Sequence, residues 1–287
     1  MQTFKTLLLR EWMQHRLGWL LLALLPPAIV LPLALFGHIQ VSGQEPVNLV
    51  AMVTLGAFTL AVTGLAWATV GFQAPGLARR DAQDRSVEFW RALPVSDTTS
   101  VAATLCAHLV LMPLVVMGVA ALASVAVAGV VVLRVFGSAG YAALDLNYLG
   151  SMVLAALPRL AAGSLLASFW AAAVLLPMMA ASAWLKRWGV PALVAVFWGG
   201  GMVLDKAYGQ PWLLNAMAAP FQRFVDALVP LRVDGDNFPG TAATPIWFWH
   251  DLLKELQALA SPTGVLALAV IALCFWLLVL RRRQSGA

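Results

Sequence analysis

Long apolar runs separated by short polar breaks set the rhythm of this chain. Crossing the hydrocarbon core of a bilayer takes about 20 mostly apolar residues in a helix. Six runs are read as spans: 17–37, 49–72, 101 to about 133, about 160–185, 190–204 and 264–280. Pro26, Pro27 and Pro32 predict kinks in the first. The third is longer than a bilayer requires, so it protrudes or tilts. The fifth is short and carries Gly199-Gly200-Gly201.

The breaks have their own patterns. In residues 1–16, Phe4, Leu8 and Trp12 recur at helical spacing, with Lys5, Arg10 and Arg16 on the other side. This predicts an interfacial helix that turns into the membrane. The break at 75–100 is dense in charge. Nothing between Leu77 and Leu93 interrupts a helix, and Pro94 stops it. Leu77, Val87, Phe89, Trp90 and Leu93 offer apolar contacts beside the charges. The stretch reads as a helix at the membrane face that docks on a soluble partner. The alternative is a solvated loop whose Arg residues only fix topology. Residues 205–263 form a long insertion with two amphipathic helices. The first presents Leu213, Met217, Phe221, Phe224 and Leu228 and ends at Pro230. The second starts at Thr244-Pro245 and presents Trp249, Leu252, Leu253, Leu256 and Leu259, with Asp251, Lys254 and Glu255 opposite. Both are expected to lie on, or dip into, the outer leaflet, and 134–159 is a weaker version of the same. An Arg at the bilayer centre costs roughly 3 kcal/mol or more, so the fourth span is expected to start after Arg159.

Basic residues orient the spans. Twelve of the 18 Lys and Arg fall in the N-terminal segment, the 75–100 break, the 186–187 loop and the Arg281-Arg282-Arg283 tail. With six spans these all share one side, which makes both termini cytoplasmic in a multi-pass protein of the cytoplasmic membrane. Composition agrees: 61% of residues are hydrophobic, only 11% are charged, and mean hydropathy is +0.84. The net charge of +5 is therefore a matter of topology, not of nucleic-acid binding.

Candidate chemistry is sparse. The chain has no phosphate-binding Gly-rich loop with Lys, no His-Glu-x-x-His and no Cys-x-x-Cys. No catalytic, cofactor or metal residue is assigned. Cys106 and Cys274 lie in apolar runs and read as packing residues. His108 is the one histidine clearly inside a span, and is expected to be buried and hydrogen-bonded or to face a wet cavity. Thr59 and Thr63 share a face of the second span, with Trp67 a turn on, and are candidates for lining a path or an interface. Gly64 with Ala68, and Gly163 with Ala167 and Ala171, form small-residue faces that permit close helix approach.

The pattern predicts an all-α polytopic membrane protein: a single domain over 1–287 with six transmembrane helices, an N-terminal interfacial helix, a cytoplasmic helix between spans two and three, and outer amphipathic helices between spans five and six. This order resembles the ABC-2 (type V, ABCG-like) permeases of ABC transporters. The most specific local piece is Arg85-Ser86-Val87-Glu88-Phe89-Trp90-Arg91-Ala92-Leu93-Pro94-Val95-Ser96, similar to that family's charged helix ending in Leu-Pro-x-Ser. Asp97-Thr98-Thr99 stands where many members carry a basic residue and Glu. The resemblance implies a permease subunit, an exporter, driven by a separate P-loop ATPase that binds the ATP. It implies a second permease subunit, identical or not. It makes the 1–16 helix and the 75–96 helix the contact with the ATPase, with Arg79, Arg80, Asp84, Arg85, Glu88, Phe89, Trp90 and Arg91 as coupling residues. Such a chain would be no enzyme itself. A structural or assembly subunit of a larger membrane complex, or a membrane-embedded enzyme, are the rival classes.

Overall fold

Helix α1 runs without interruption from Gln2 to Phe36. The expected turn between an interfacial helix and the first span is therefore absent, and Pro26, Pro27 and Pro32 lie inside the helix without ending it. At 35 residues, α1 extends about 50 Å, well beyond a hydrocarbon core of about 30 Å. In its first turns Leu8 and Trp12 pack against the core and Lys5 and Arg16 are exposed, as expected. Arg10 and Glu11 depart from this pattern: both are buried with Leu7 and Trp19, whereas Leu9, Met13 and Leu17 are exposed.

The computed structural model describes residues 2–39, 45–83, 96–229 and 244–284, and over these the chain is helical with no strand. Helix α2, Val47–Gln83, passes through Pro75 and runs on beyond the expected end of the second span at Phe72. Residues 77–83 thus continue α2 instead of opening a separate surface helix. Residues 84–95 lie outside the described residues. Ser96 caps the next helix. Its Oγ accepts from the Thr99 amide at 3.1 Å, one of the orphan donors of a helix start. Helix α3 is Asp97–Leu105 and helix α4 is Met112–Ala142, joined by a wider π turn at Cys106–Leu111. Pro113 explains that turn. It has no amide to give to the Leu109 carbonyl one turn back, and its ring crowds that position. Ser168 Oγ lies 2.6 Å from the Leu109 oxygen and satisfies it from another helix. Gly137, at φ 69°, breaks α4 near its C-terminal end.

Helix α5, Leu146–Leu185, starts at an Asp145 cap whose carboxylate accepts from the Tyr148 amide at 2.9 Å. It begins well before Arg159, which corrects the expected start. The 134–159 segment is not a separate helix: it comprises the end of α4 and the start of α5, joined at 143–145. At Lys186, φ 54° takes the chain out of the helix. Gly189 then lies on the backbone of Ala181 and Ser182, where a Cβ would overlap main-chain atoms. The chain has turned back along α5. Helix α6 (Gly189–Val194), a π turn (Ala195–Gly199) and helix α7 (Gly200–Tyr208) follow. Gly209, at φ 64°, makes a left-handed cap and sends the chain into α8, Trp212–Leu228. After it come α9, Thr244–Leu259, and α10, Pro262–Gln284.

Among the described residues, five helical stretches are long and apolar enough to cross a membrane: Thr3–Phe36, Val47–Arg80, Asp97–Ala142, Leu146–Tyr208 and Pro262–Gln284. The fourth contains both the fourth and fifth expected spans, divided at the Lys186 reversal. Large apolar side chains such as Leu21, Leu24, Leu33, Phe72, Leu122 and Leu154 project outward from these helices. The molecule is a multi-pass membrane protein by this measure.

The core is built where α2, α4 and α5 meet, around Ala66, Trp67, Met112, Val116, Trp170 and Leu176. Helix α8 packs Ala227, Leu228 and Phe224 into it and leaves Trp212, Phe221 and Val225 exposed. Phe224 sets its ring edge-on to Trp67 at 5.1 Å. The close approach of α8 to α5 depends on Gly163, because a Cβ there would overlap the Ala227 carbonyl and Arg159 Nη1. Gly163→Ala is expected to lower stability by about 1–3 kcal/mol through overpacking, read as a lower unfolding temperature of the purified protein.

Helix α9 splits the apolar face expected to meet the leaflet. Trp249, Leu253 and Leu256 point outward, while Leu252 is buried along with Phe248 and Glu255. Arg159 on α5 holds the helix in this orientation through Asp251. At the C-terminal end of α10, Arg282 pairs with Asp97 at 3.2 Å and Arg281 donates to the Ala183 carbonyl at 3.2 Å. The basic tail thus ties α10 to the start of α3 and the end of α5.

Candidate functional site

The densest polar chemistry lies where α1, α2, α3 and α4 converge. Glu11 is wholly buried, and its carboxylate is a hub. Arg80 Nη2, near the end of α2, donates to both carboxylate oxygens at 3.0 and 3.1 Å. Thr104 Oγ1 on α3 donates to Oε1 at 3.0 Å, and the Arg10 guanidinium reaches the same oxygen. Oε2 faces two imidazoles: His108 Nε2 at 3.4 Å and His15 Nε2 at 4.0 Å. Arg80 Nη1 is 2.7 Å from His15 Nε2. The two imidazole rings meet edge-to-face at 4.7 Å, and Trp19 closes the cluster 5.5 Å from His108. Helical spacing explains the first half: Glu11, His15 and Trp19 follow at i, i+4 and i+8 on one face of α1. The π turn explains the second, because it holds His108 in the wall that faces α1. Taking a carboxylate out of water is costly unless it is paired and hydrogen-bonded. Here both conditions are met by residues far apart in the chain.

A second buried charge sits at the other end of α5. Arg159 is 1% exposed, and its Nε and Nη2 reach Asp251 Oδ2 at 2.7 and 2.6 Å. Its Nη1 donates to the Ala227 carbonyl at 2.8 Å and its Nη2 to that of Asp226 at 3.4 Å. Those carbonyls belong to the last turn of α8, where acceptors have no partner within the helix and a cation is favoured by the helix dipole. Arg159 thus clamps three helices, α5, α8 and α9. Glu255 is buried beside it, and its Oε2 has no hydrogen-bond partner among the described residues. Burial, then the nearby Asp226, pushes the Glu255 carboxyl above its ordinary range, more than Arg223 offsets. An acid with a raised folded-state pKa favours folding fully only below its unfolded pKa, and loses that contribution as pH rises through the raised value. Glu255→Gln is therefore expected to raise the unfolding temperature by a few degrees at neutral pH. The advantage should vanish when the scan is repeated below the ordinary glutamate range.

Between α2, α5 and α8 lies an open apolar groove of about 350 Å³. Trp67, Gly64, Ala68 and Gly71 form one wall, with Ala171 and Phe224 among the residues opposite. A Cβ at Gly64 or Gly71 would meet nothing within 4 Å. The small-residue face of α2 is thus not consumed by packing inside the chain.

The sequence-derived candidates distribute unevenly over these features. Arg80 enters the Glu11 hub, and Arg79 is half-buried beside it on α2. Asp84, Arg85, Glu88, Phe89, Trp90 and Arg91 lie outside the described residues. Trp67 lines the groove. Thr59 and Thr63 are buried, and their hydroxyls donate to Leu55 and Thr59 carbonyls of their own helix at 2.8 and 2.7 Å. Cys106 and Cys274 are free thiols. The sequence reading missed Glu11, Thr104 and the Arg159–Asp251 pair. A signal for the first was present: Glu11 is the only acidic residue before Glu45. A lone acid in an apolar, basic segment needs a partner.

No family model, no curated protein and no solved structure matches this chain.

Proposed function

We propose that this chain is the permease subunit of an ABC transporter of the cytoplasmic membrane, an exporter driven by a separate P-loop ATPase. In this reading two permease subunits, identical or not, face each other. Six spans result from counting the Lys186 reversal as the joint between spans four and five. Both termini and residues 75–100 are then cytoplasmic, and residues 205–263 are outside.

The observation that supports the reading best is the Glu11–Arg80 tie. Arg80 lies near the end of α2, a few residues before the 84–95 segment expected to dock the ATPase. Glu11 lies in the inner end of α1, the other element expected to do so. The tie joins both elements, and Thr104 joins them to the start of the third span. A push on either element would move α1 and α2 together. Trp67 and the small-residue wall of the groove ride on α2, so such a movement changes the width of the groove. A groove of this size and apolarity suits an apolar or amphipathic cargo.

Coupling variants test the reading. Interface energy concentrates in aromatic anchors, often about 2 kcal/mol or more each. Trp90→Ala should therefore release the ATPase on copurification while the permease still inserts. If Phe89 and Trp90 instead face headgroups, Glu88→Arg or Arg91→Glu should be the disruptive changes. Full binding and full ATP-driven transport in all of these variants would remove the coupling role from this segment. Orientation is tested by Ser86→Cys and Asn237→Cys in intact cells. An impermeant reagent should label position 237 and spare position 86.

A further inference from the structure

The Glu11 hub has the donor set of a transition-metal site. Glu11 Oε2, His15 Nε2 and His108 Nε2 offer one carboxylate oxygen and two imidazole nitrogens, all within 4.8 Å of one another. Glu11 and His15 stand one helical turn apart on the same face, and His108 comes from the facing π turn. Tetrahedral zinc, with bonds of about 2.0–2.1 Å, needs its ligand atoms about 3.3 Å apart. The His108–Glu11 separation of 3.4 Å already meets this, and the His15–Glu11 separation of 4.0 Å needs only a small contraction. The two carboxylate oxygens also divide the work. Oε1 is held by Thr104 and Arg10, which orient it, while Oε2 faces the imidazoles. Outer hydrogen bonds of this kind fix ligating carboxylates in metal centres.

His108 is a buried ring whose polar atoms are poorly satisfied. Its side chain is 1% exposed, Nδ1 has no hydrogen-bond partner among the described residues, and Nε2 faces only Glu11 Oε2, at 3.4 Å. A buried polar ring left unsatisfied is costly, and a metal on Nε2 would replace that weak contact with a bond. Against this stands Arg80. Its guanidinium bridges His15 Nε2 and the Glu11 carboxylate, so it uses the same donor edges that a metal would use. A guanidinium and a divalent ion cannot share them.

We propose that Glu11, His15 and His108 form a seat for a borderline divalent transition metal such as Zn²⁺, with the Arg80 guanidinium as the competing occupant. Metal binding ties α1 to α4 and releases Arg80, and with it the end of α2. Imidazole and carboxylate ligands select zinc-like ions over magnesium or calcium. The site stands on its own geometry and does not rest on the transport reading.

The test is a Co²⁺ titration of the full chain in nanodiscs after removal of any affinity tag. It is followed by visible d–d absorption, with Zn²⁺ as competitor. Wild type should take up one equivalent, displaced by Zn²⁺. Arg80→Gln should bind about tenfold tighter or more, since it removes both the competitor and a nearby positive charge. His108→Asn and His15→Asn should abolish the absorption, and Thr104→Val should weaken binding by about tenfold as an outer-sphere loss. Equal binding in wild type and His108→Asn would mean adventitious surface ligands and would overturn the proposal. So would an Arg80→Gln protein that binds no tighter than wild type. If Arg80→Gln does not fold, the wild-type and His108→Asn comparison still decides.

Discussion

Replacing Glu11 by Ala is expected to cost about 3–5 kcal/mol of stability, the loss that follows when one partner of a buried ion pair is removed. The carboxylate is wholly buried and accepts from Arg80, Arg10 and Thr104. Without it two guanidinium groups remain in a region built to offset their charge. The loss should appear as a large drop in unfolding temperature and in the yield of monodisperse protein. Glu11→Gln keeps the shape and one acceptor oxygen, so its loss should be smaller. A double-mutant cycle between Glu11→Gln and Arg80→Gln should give a coupling energy of about 1–3 kcal/mol, as expected for groups in one network. Additive losses would mean that the two residues do not act together.

The second large effect is expected at Arg159. Arg159→Leu should cost about 3–5 kcal/mol, because it leaves the half-buried Asp251 without its cation and the end of α8 unsatisfied. Arg159→Lys should recover little. The guanidinium reaches Asp251 on α9 and two carbonyls of α8 from separate nitrogens, and an ammonium cannot span those directions. Near-wild-type stability of Arg159→Lys would show that only the charge matters. Proteolysis between α8 and α9 should quicken in Arg159→Leu if the clamp fixes these helices.

These two residues also show how far the sequence could be read. Length and hydropathy located the membrane stretches, and turn chemistry located the start of α9 at Thr244-Pro245. Two things were not legible. Apolar runs mark the bilayer and not the helix, so α2 continues past Phe72 to Gln83 and α5 begins before Arg159. Apolar periodicity also fails to mark the buried face in lipid, because lipid is as apolar as leucine. Leu9 and Met13 therefore face outward while Glu11 faces in, and Leu253 and Leu256 face outward while Glu255 faces in. The cost assigned to Arg159 was that of a lone cation. Its partner Asp251 is 92 positions away, which no local pattern reveals. The same holds for His108, which meets a glutamate 97 positions earlier in the chain.

The polar positions of a membrane helix are thus the better guide to its inward face. Glu11, His15 and Trp19 trace that face on α1, and Asp251 and Glu255 trace it on α9. Both ends of the bundle are then held by a buried charge pair, Glu11–Arg80 at one and Arg159–Asp251 at the other. The apolar groove lies among helices that belong to one or other of these clamps.

The central claim is that this chain is moved by a separate ATPase. It is tested most directly by purifying the tagged chain from its native membranes and identifying, by quantitative mass spectrometry, what comes with it. The account predicts a P-loop ATPase in equal amount, and ATP hydrolysis that disappears when that subunit is stripped away. Purification of the chain without any such ATPase, or ATP hydrolysis by the chain alone, would contradict it.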